Sequence, residues 1–240
     1  MATTRRVWAG WVTILRELGL QWGETTLVIG EDAGLLADAY QAAGAPPVAH
    51  RRQGFAALTH EEVIDEAGPS AIGWPDGSVG LVVLRHAVPN QASLVGALRE
   101  AYRVLAPGAG ILVTDLSLKL LMSGTTTRYP SRVQYRLFPD LLELEARRHV
   151  DSARIDVEVV RAGFKDVDAY DVDEELEEFA DPEAYLRFVR EGGWRSIDLM
   201  TDGQLDHLLD ELGRLLPGLA DGGLILEREP WHVTRGFKPI

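Results

Sequence analysis

The chain has 240 residues, 46% of them hydrophobic, with a formal net charge of −13 and no cysteine. That charge argues against nucleic acid and anionic membrane surfaces as partners, since both require clustered Lys and Arg. The missing cysteine excludes disulfides, thiolate nucleophiles and Cys-ligated metal. A chain of this length can be served by one core, so a single domain over residues 1–240 carrying a small lid is expected.

Trp8, Trp11, Val12, Leu15 and Leu18 recur at spacings of three and four, one face of an amphipathic helix bounded by Gly19 and Gly23. Thr25 to Ile29 is a short β-branched run that stops at Gly30, and Leu35 to Ala43 then forms a helix ended by Gly44. Ala45 to Ala49 is a poor second strand, because Pro46 and Pro47 carry no amide hydrogen. Pro75-Asp76-Gly77 is turn chemistry, and the continuous apolar run Val79 to Leu84 suits a strand buried on both faces. A helix over about Leu94 to Leu105, a turn at Pro107 to Gly110 and a strand at Ile111 to Thr114 ending at Asp115 follow. This alternation predicts an α/β fold with a doubly wound, mostly parallel sheet, whose functional edge lies at the carboxyl ends of the strands.

Leu116 to His149 breaks the rhythm with a Ser/Thr/Gly stretch and a helix carrying Tyr135, Leu137, Phe138, Leu141, Leu142 and Leu144, a helical lid or insertion. Ile155 to Ala162, Gly163-Phe164 and Val167 to Val172 restore helix, turn and strand. Asp171 to Glu191 holds nine acidic and two basic residues interleaved with apolar ones, which predicts a solvated helix face rather than a metal site. A helix over Asp202 to Leu216 precedes a hairpin-like end through Leu224 to Leu226 and Trp231 to Thr234. The cap segments are thus expected at about 116–150 and 173–222. No stretch reaches the roughly 18–20 apolar residues of a membrane helix, and the N-terminal stretch lacks a signal peptide's apolar run, so a cytoplasmic location is expected.

Three phrases carry a resemblance: Pro75-Asp76-Gly77-Ser78-Val79-Gly80-Leu81-Val82-Val83; Ala97-Leu98-Arg99-Glu100-Ala101-Tyr102-Arg103-Val104-Leu105-Ala106-Pro107-Gly108; and Ile111-Leu112-Val113-Thr114-Asp115. With Ala162-Gly163-Phe164 and the closing Gly236-Phe237-Lys238-Pro239, the chain resembles the class I, S-adenosylmethionine-dependent methyltransferases, in particular the ubiquinone/menaquinone-biosynthesis type, type 11. The resemblance implies S-adenosylmethionine as the candidate cofactor. It also implies an acidic residue in the first strand, a three-glycine turn after it, and an acid at the second strand's end that accepts from both ribose hydroxyls.

This sequence departs from those expectations. Val28-Ile29-Gly30-Glu31-Asp32-Ala33-Gly34 keeps Gly30 and Gly34, but Val28 stands at the acidic position and Asp32 at the middle glycine. A carboxylate there, about 4 Å from the cofactor's own, would cost roughly 1–4 kcal/mol, although Asp32 also suits a helix cap. His50-Arg51-Arg52 occupies the ribose-acid region, and losing that charge-assisted hydrogen bond costs about 1.5–3 kcal/mol. Glu61, Glu62 or Asp65 would replace it only if the alignment slipped. Arg51 would suit a nucleotide 2′-phosphate, but Asp32 opposes a pyrophosphate at a helix N-terminus.

The cofactor-side candidates are therefore Gly30, Asp32, Gly34, Arg51 and Arg85, and the catalytic candidates His86 and Asp115, with His86 a general base near neutral pH. Tyr129, Arg132 and Tyr135 in the lid are candidates for substrate contact, with packing the simpler role for the tyrosines, and His149, His207 and His232 show no metal-ligand spacing with carboxylates, so no metal is expected. Two functions follow: a methyltransferase-like protein with a degenerate site, binding the cofactor weakly or not at all, or a divergent active enzyme acting on a small molecule. The expected partner is a small molecule or another protein, a second copy included.

Overall fold

The computed structural model describes residues 26–30, 49–50, 74–85, 91–219 and 223–240. The predicted helices at 7–18 and 35–43 lie outside them. Among the described residues six strands form one sheet: β1 (Thr26–Gly30), β2 (Ala49–His50), β3 (Val79–Arg85), β4 (Leu105–Leu116), β5 (Lys165–Phe179) and β6 (Ile225–Phe237), in the order β2-β1-β3-β4-β6-β5. β2, β1, β3 and β4 pair in parallel, and β6 runs antiparallel to β4. Between them lie α1 (Gln91–Val104), α2 (Leu118–Ser123), α3 (Arg132–Leu137), α4 (Pro139–Ala146), α5 (Ser152–Arg161), α6 (Pro182–Arg190), a 3₁₀ turn (Arg195–Leu199) and α7 (Asp202–Leu219).

The described residues divide into two compact units, those of 26–117, 149–172 and 231–240 forming the sheet unit and those of 118–148 and 173–230 the helical unit. Their boundaries fall inside β5 and β6. In the sheet unit, Leu94, Ala97, Leu98, Ala101 and Val104 repeat at spacings of three and four along α1, and Ile155 and Val159 repeat along α5. They bury against Leu27, Val82, Leu84, Ile111 and Val113. Leu81 and Val83, which alternate with those residues on β3, are equally buried. Both faces of β3 are therefore covered, which is why its sequence is continuously apolar.

Two expectations need correction. The acidic stretch from Asp171 is not a helix: β5 continues to Phe179 at the sheet edge beside β6, so 173–179 is strand, not helical cap. An edge strand tolerates a row of charges, and pairing outweighs the weak β-propensity of Asp and Glu. Helix resumes only at Pro182, where the Asp181 carboxylate accepts the Ala184 N–H at 2.7 Å. The expected terminal hairpin is one strand, Ile225–Phe237. Pro230 breaks no β4 bond, because the ladder with β4 begins one residue later, at Trp231↔Leu116.

The Pro107 to Gly110 turn lies inside β4 as an irregularity, the register jumping from Val79↔Leu105 to Leu81↔Gly110. Gly108 there has φ +78°, and its N–H donates to the Lys238 carbonyl at 2.9 Å. In the helical unit, Tyr185, Val189, Leu208, Leu212 and Leu216 form one core, and Leu121, Tyr129, Tyr135 and Leu141 a second. Among the described residues no helix is long and apolar enough to cross a membrane.

Candidate functional site

The carboxyl edge of the sheet is defined by its register. Gly30 pairs with Arg85, Arg85 with Thr114, and Thr114 with Val233, followed by Asp115↔His232 and Leu116↔Trp231. Alternation puts Arg85, Thr114 and Trp231 on one face of the sheet. Asp115 and His232 continue the opposite face, that of Ile111 and Val113, against which α1 and α5 pack.

On the first face, Arg85 is 2% exposed and its guanidinium carbon lies 4.1 Å from the Trp231 ring centroid. Stacking on an aromatic quadrupole is one of the few ways to keep a cation inside a protein. The Thr114 hydroxyl beside it in the register is buried without a hydrogen bond.

On the opposite face, Asp115 is 1% exposed and accepts hydrogen bonds from Leu116, His149 and Val150. The Leu116 N–H donates to Oδ1 at 2.8 Å, the Val150 N–H to Oδ2 at 3.2 Å, and His149 Nδ1 lies 2.9 Å from Oδ1. A carboxylate can only accept, so Nδ1 of His149 carries the proton and Nε2 is the basic nitrogen of the neutral ring. This carboxylate also joins two distant chain segments: the strand end at Leu116 and the segment that begins α5 at His149–Val150. Asp151 then caps α5 by accepting the Arg154 N–H.

His232 is held from both sides. Its Nδ1 lies 3.1 Å from Asp171 Oδ1 and its Nε2 3.0 Å from Asp156 Oδ1, which also accepts the Thr234 hydroxyl at 2.6 Å. With both ring nitrogens turned to carboxylates, none is left for a metal. Among the described residues no grouping of His, Asp or Glu could hold one.

The lid candidates are engaged inside the helical unit. The Tyr129 hydroxyl and the Arg128 guanidinium both donate to Asp173, and Arg132 donates to the Gly124 carbonyl. Burial, then the Asp173 contact, pushes the Tyr129 phenol up to about 12. Tyr135 is buried as well, and burial raises its phenol too.

Of the candidates read from sequence, Gly30, Arg85 and Asp115 lie together at the carboxyl edge, while Asp32, Gly34, Arg51 and His86 fall outside the described residues. His149, Trp231 and His232 join the edge without a sequence signal. His149 is 34 residues from Asp115 and follows two arginines in an unremarkable stretch.

No protein-family model matches the sequence, and no curated protein matches it either. Solved structures do. A candidate methyltransferase from an antibiotic biosynthesis pathway of Anabaena variabilis is 18% identical, with a TM-score of 0.64 over 97% of this chain and 99% of that one. A candidate methyltransferase from Bacillus halodurans is 15% identical, with a TM-score of 0.50 over 95% of this chain and 98% of that one. The fold is that of the Rossmann-like methyltransferases. In a methyltransferase fold the carboxyl edge just described is the ligand-binding side of an open α/β sheet.

Proposed function

We propose that this methyltransferase-fold protein has a degenerate S-adenosylmethionine site, binding the cofactor weakly or not at all and serving instead as a binder of another small molecule or of a protein partner. The observation that carries the reading is the register of β2. Leu27 pairs with Ala49 and Val28 with His50, which puts His50 on β2 with Arg51 next in the sequence. That is the position where the resemblance expects a ribose-binding acid, and this pairing opposes an alignment slip to Glu61, Glu62 or Asp65. Val28 in β1, where an acid is also expected, supports the same reading. The sequence at 50–52, His-Arg-Arg, thus offers no acid to the cofactor's ribose. Summed losses of several kcal/mol convert micromolar into millimolar affinity or weaker.

A second reading, a divergent active methyltransferase acting on a small molecule, is favoured by the Asp115–His149 pair. A histidine oriented by a carboxylate is suited to accept a proton from a hydroxyl or amine acceptor. Against it, the His149 side chain is only 3% exposed.

Titration calorimetry with S-adenosylhomocysteine decides between them, using the wild type and an Asp32→Gly, Arg51→Asp double variant. The degenerate reading expects no wild-type heat below millimolar ligand, with some binding gained by the variant. Micromolar wild-type binding overturns it in favour of the active enzyme.

A further inference from the structure

The larger core of the helical unit is built from Tyr185, Val189, Trp194 and the apolar face of α7, and Tyr185 reaches a buried carboxyl of β6. That carboxyl belongs to Glu227, which is 0% exposed. A buried carboxylate needs a cation or several donors to offset the water it loses. Among the described residues Glu227 has no cation partner. The Tyr185 hydroxyl donates to its Oε2, while Oε1 accepts no hydrogen bond. The Trp194 indole N–H is likewise buried without a completed hydrogen bond, its ring edge-on to Tyr185 at 6.2 Å. Phe179 of β5 packs against the Tyr185 ring in a T-shaped contact at 5.0 Å. One phenol donor and no cation suit a neutral carboxylic acid rather than a carboxylate.

We infer that Glu227 is a proton-held latch: the helical unit packs around the uncharged acid, and ionisation, with the proton passing to solvent, loosens the contacts among α6, Trp194 and α7. The groups acting on its charge come from each side. Burial dominates and pushes the carboxyl to about 8; Tyr185 of α6 and then Trp194 draw it back, and Glu229 of β6 pushes it up again. The sign follows from proton counting. When the unit opens, Glu227 meets water and ionises near its ordinary value of 4.5. The open form therefore holds fewer protons above that pH, and the opening constant rises about tenfold per pH unit. The rise ends near pH 8, where the closed form loses the proton as well.

Two measurements on the full chain test this. The first is a carbon-13 titration of the protein labelled at its glutamate carboxyl carbons. One resonance should titrate near pH 8, vanish in Glu227→Gln and move to higher pH in Tyr185→Phe, which removes the donor that favours the charged form. The second is hydrogen exchange of α6 and α7 amides, corrected for intrinsic rates. Opening should rise about 50-fold from pH 6 to pH 8 in the wild type and stay level in Glu227→Gln. A Glu227 resonance titrating in the ordinary carboxyl range, or identical pH dependence of exchange in wild type and Glu227→Gln, overturns the inference. Should Glu227→Gln not fold, the direction of the Tyr185→Phe shift carries the test, and an unmoved midpoint overturns it.

Discussion

Replacing Asp115 by Asn changes one oxygen into an NH₂ group and almost nothing in volume. The amide can turn its oxygen to the Oδ1 position, keeping the Leu116 and His149 bonds, and its NH₂ then faces the Val150 N–H, a donor against a donor. The reverse orientation strands two donors instead of one. The better choice still leaves a buried N–H unsatisfied, which costs about 1–3 kcal/mol, and weakens the charge-assisted bond from His149. Asp115→Ala strands the Leu116 N–H, His149 Nδ1 and the Val150 N–H together, so about 3–5 kcal/mol is expected. Losing one negative charge from a chain of net −13 works the other way, but only slightly at 0.15 M salt, where the Debye length is about 8 Å. Urea unfolding followed by circular dichroism reads the difference. With a slope of about 2.5 kcal/mol per molar, a 2 kcal/mol loss lowers the midpoint by roughly 0.8 M for Asn, and by more for Ala. An Asn variant within about 0.5 kcal/mol of wild type, or an Ala variant no worse than Asn, would refute the claim that this carboxylate satisfies buried donors from two chain segments.

Two further substitutions probe the same unit by urea unfolding. Gly236→Ala places a Cβ 3.0 Å from Phe164 Cβ and 3.3 Å from both Val159 and Val167, with no flexible side-chain end to yield, so a loss of about 1–3 kcal/mol is expected. Asp151→Ala removes the cap of α5 and should lower stability by about 1 kcal/mol, with a Ser replacement recovering most of it.

Much of the sheet unit was legible in the sequence because its signals are local. The Val79 to Leu84 run, the three-and-four spacing along α1, and the Pro-Asp-Gly and Pro-Gly turns each depend only on near neighbours in the chain. Arg85 and Asp115 could be named for the same reason, since each follows an apolar run that ends at the carboxyl edge. The acidic stretch after Asp171 misled because Leu176 and Phe179 fit helical spacing as readily as an edge strand. Only the neighbouring β6, more than forty residues away in the chain, decides between them. The continuity of β6 through Pro230 was hidden likewise, because a proline argues against a strand only where a partner needs its N–H.

The sequence by itself determined the alternation of strands and helices, the turns that close them and the acidic charge. Tertiary structure decided which polar groups meet: Asp115 with His149, His232 between Asp156 and Asp171, Arg85 under Trp231, and Glu227 with the Tyr185 phenol. The division has a physical cause. Backbone preference and hydrophobic period act over a few residues and are written in local order. The cost of burying a charge depends on what surrounds it, and that is settled only when distant segments close around it.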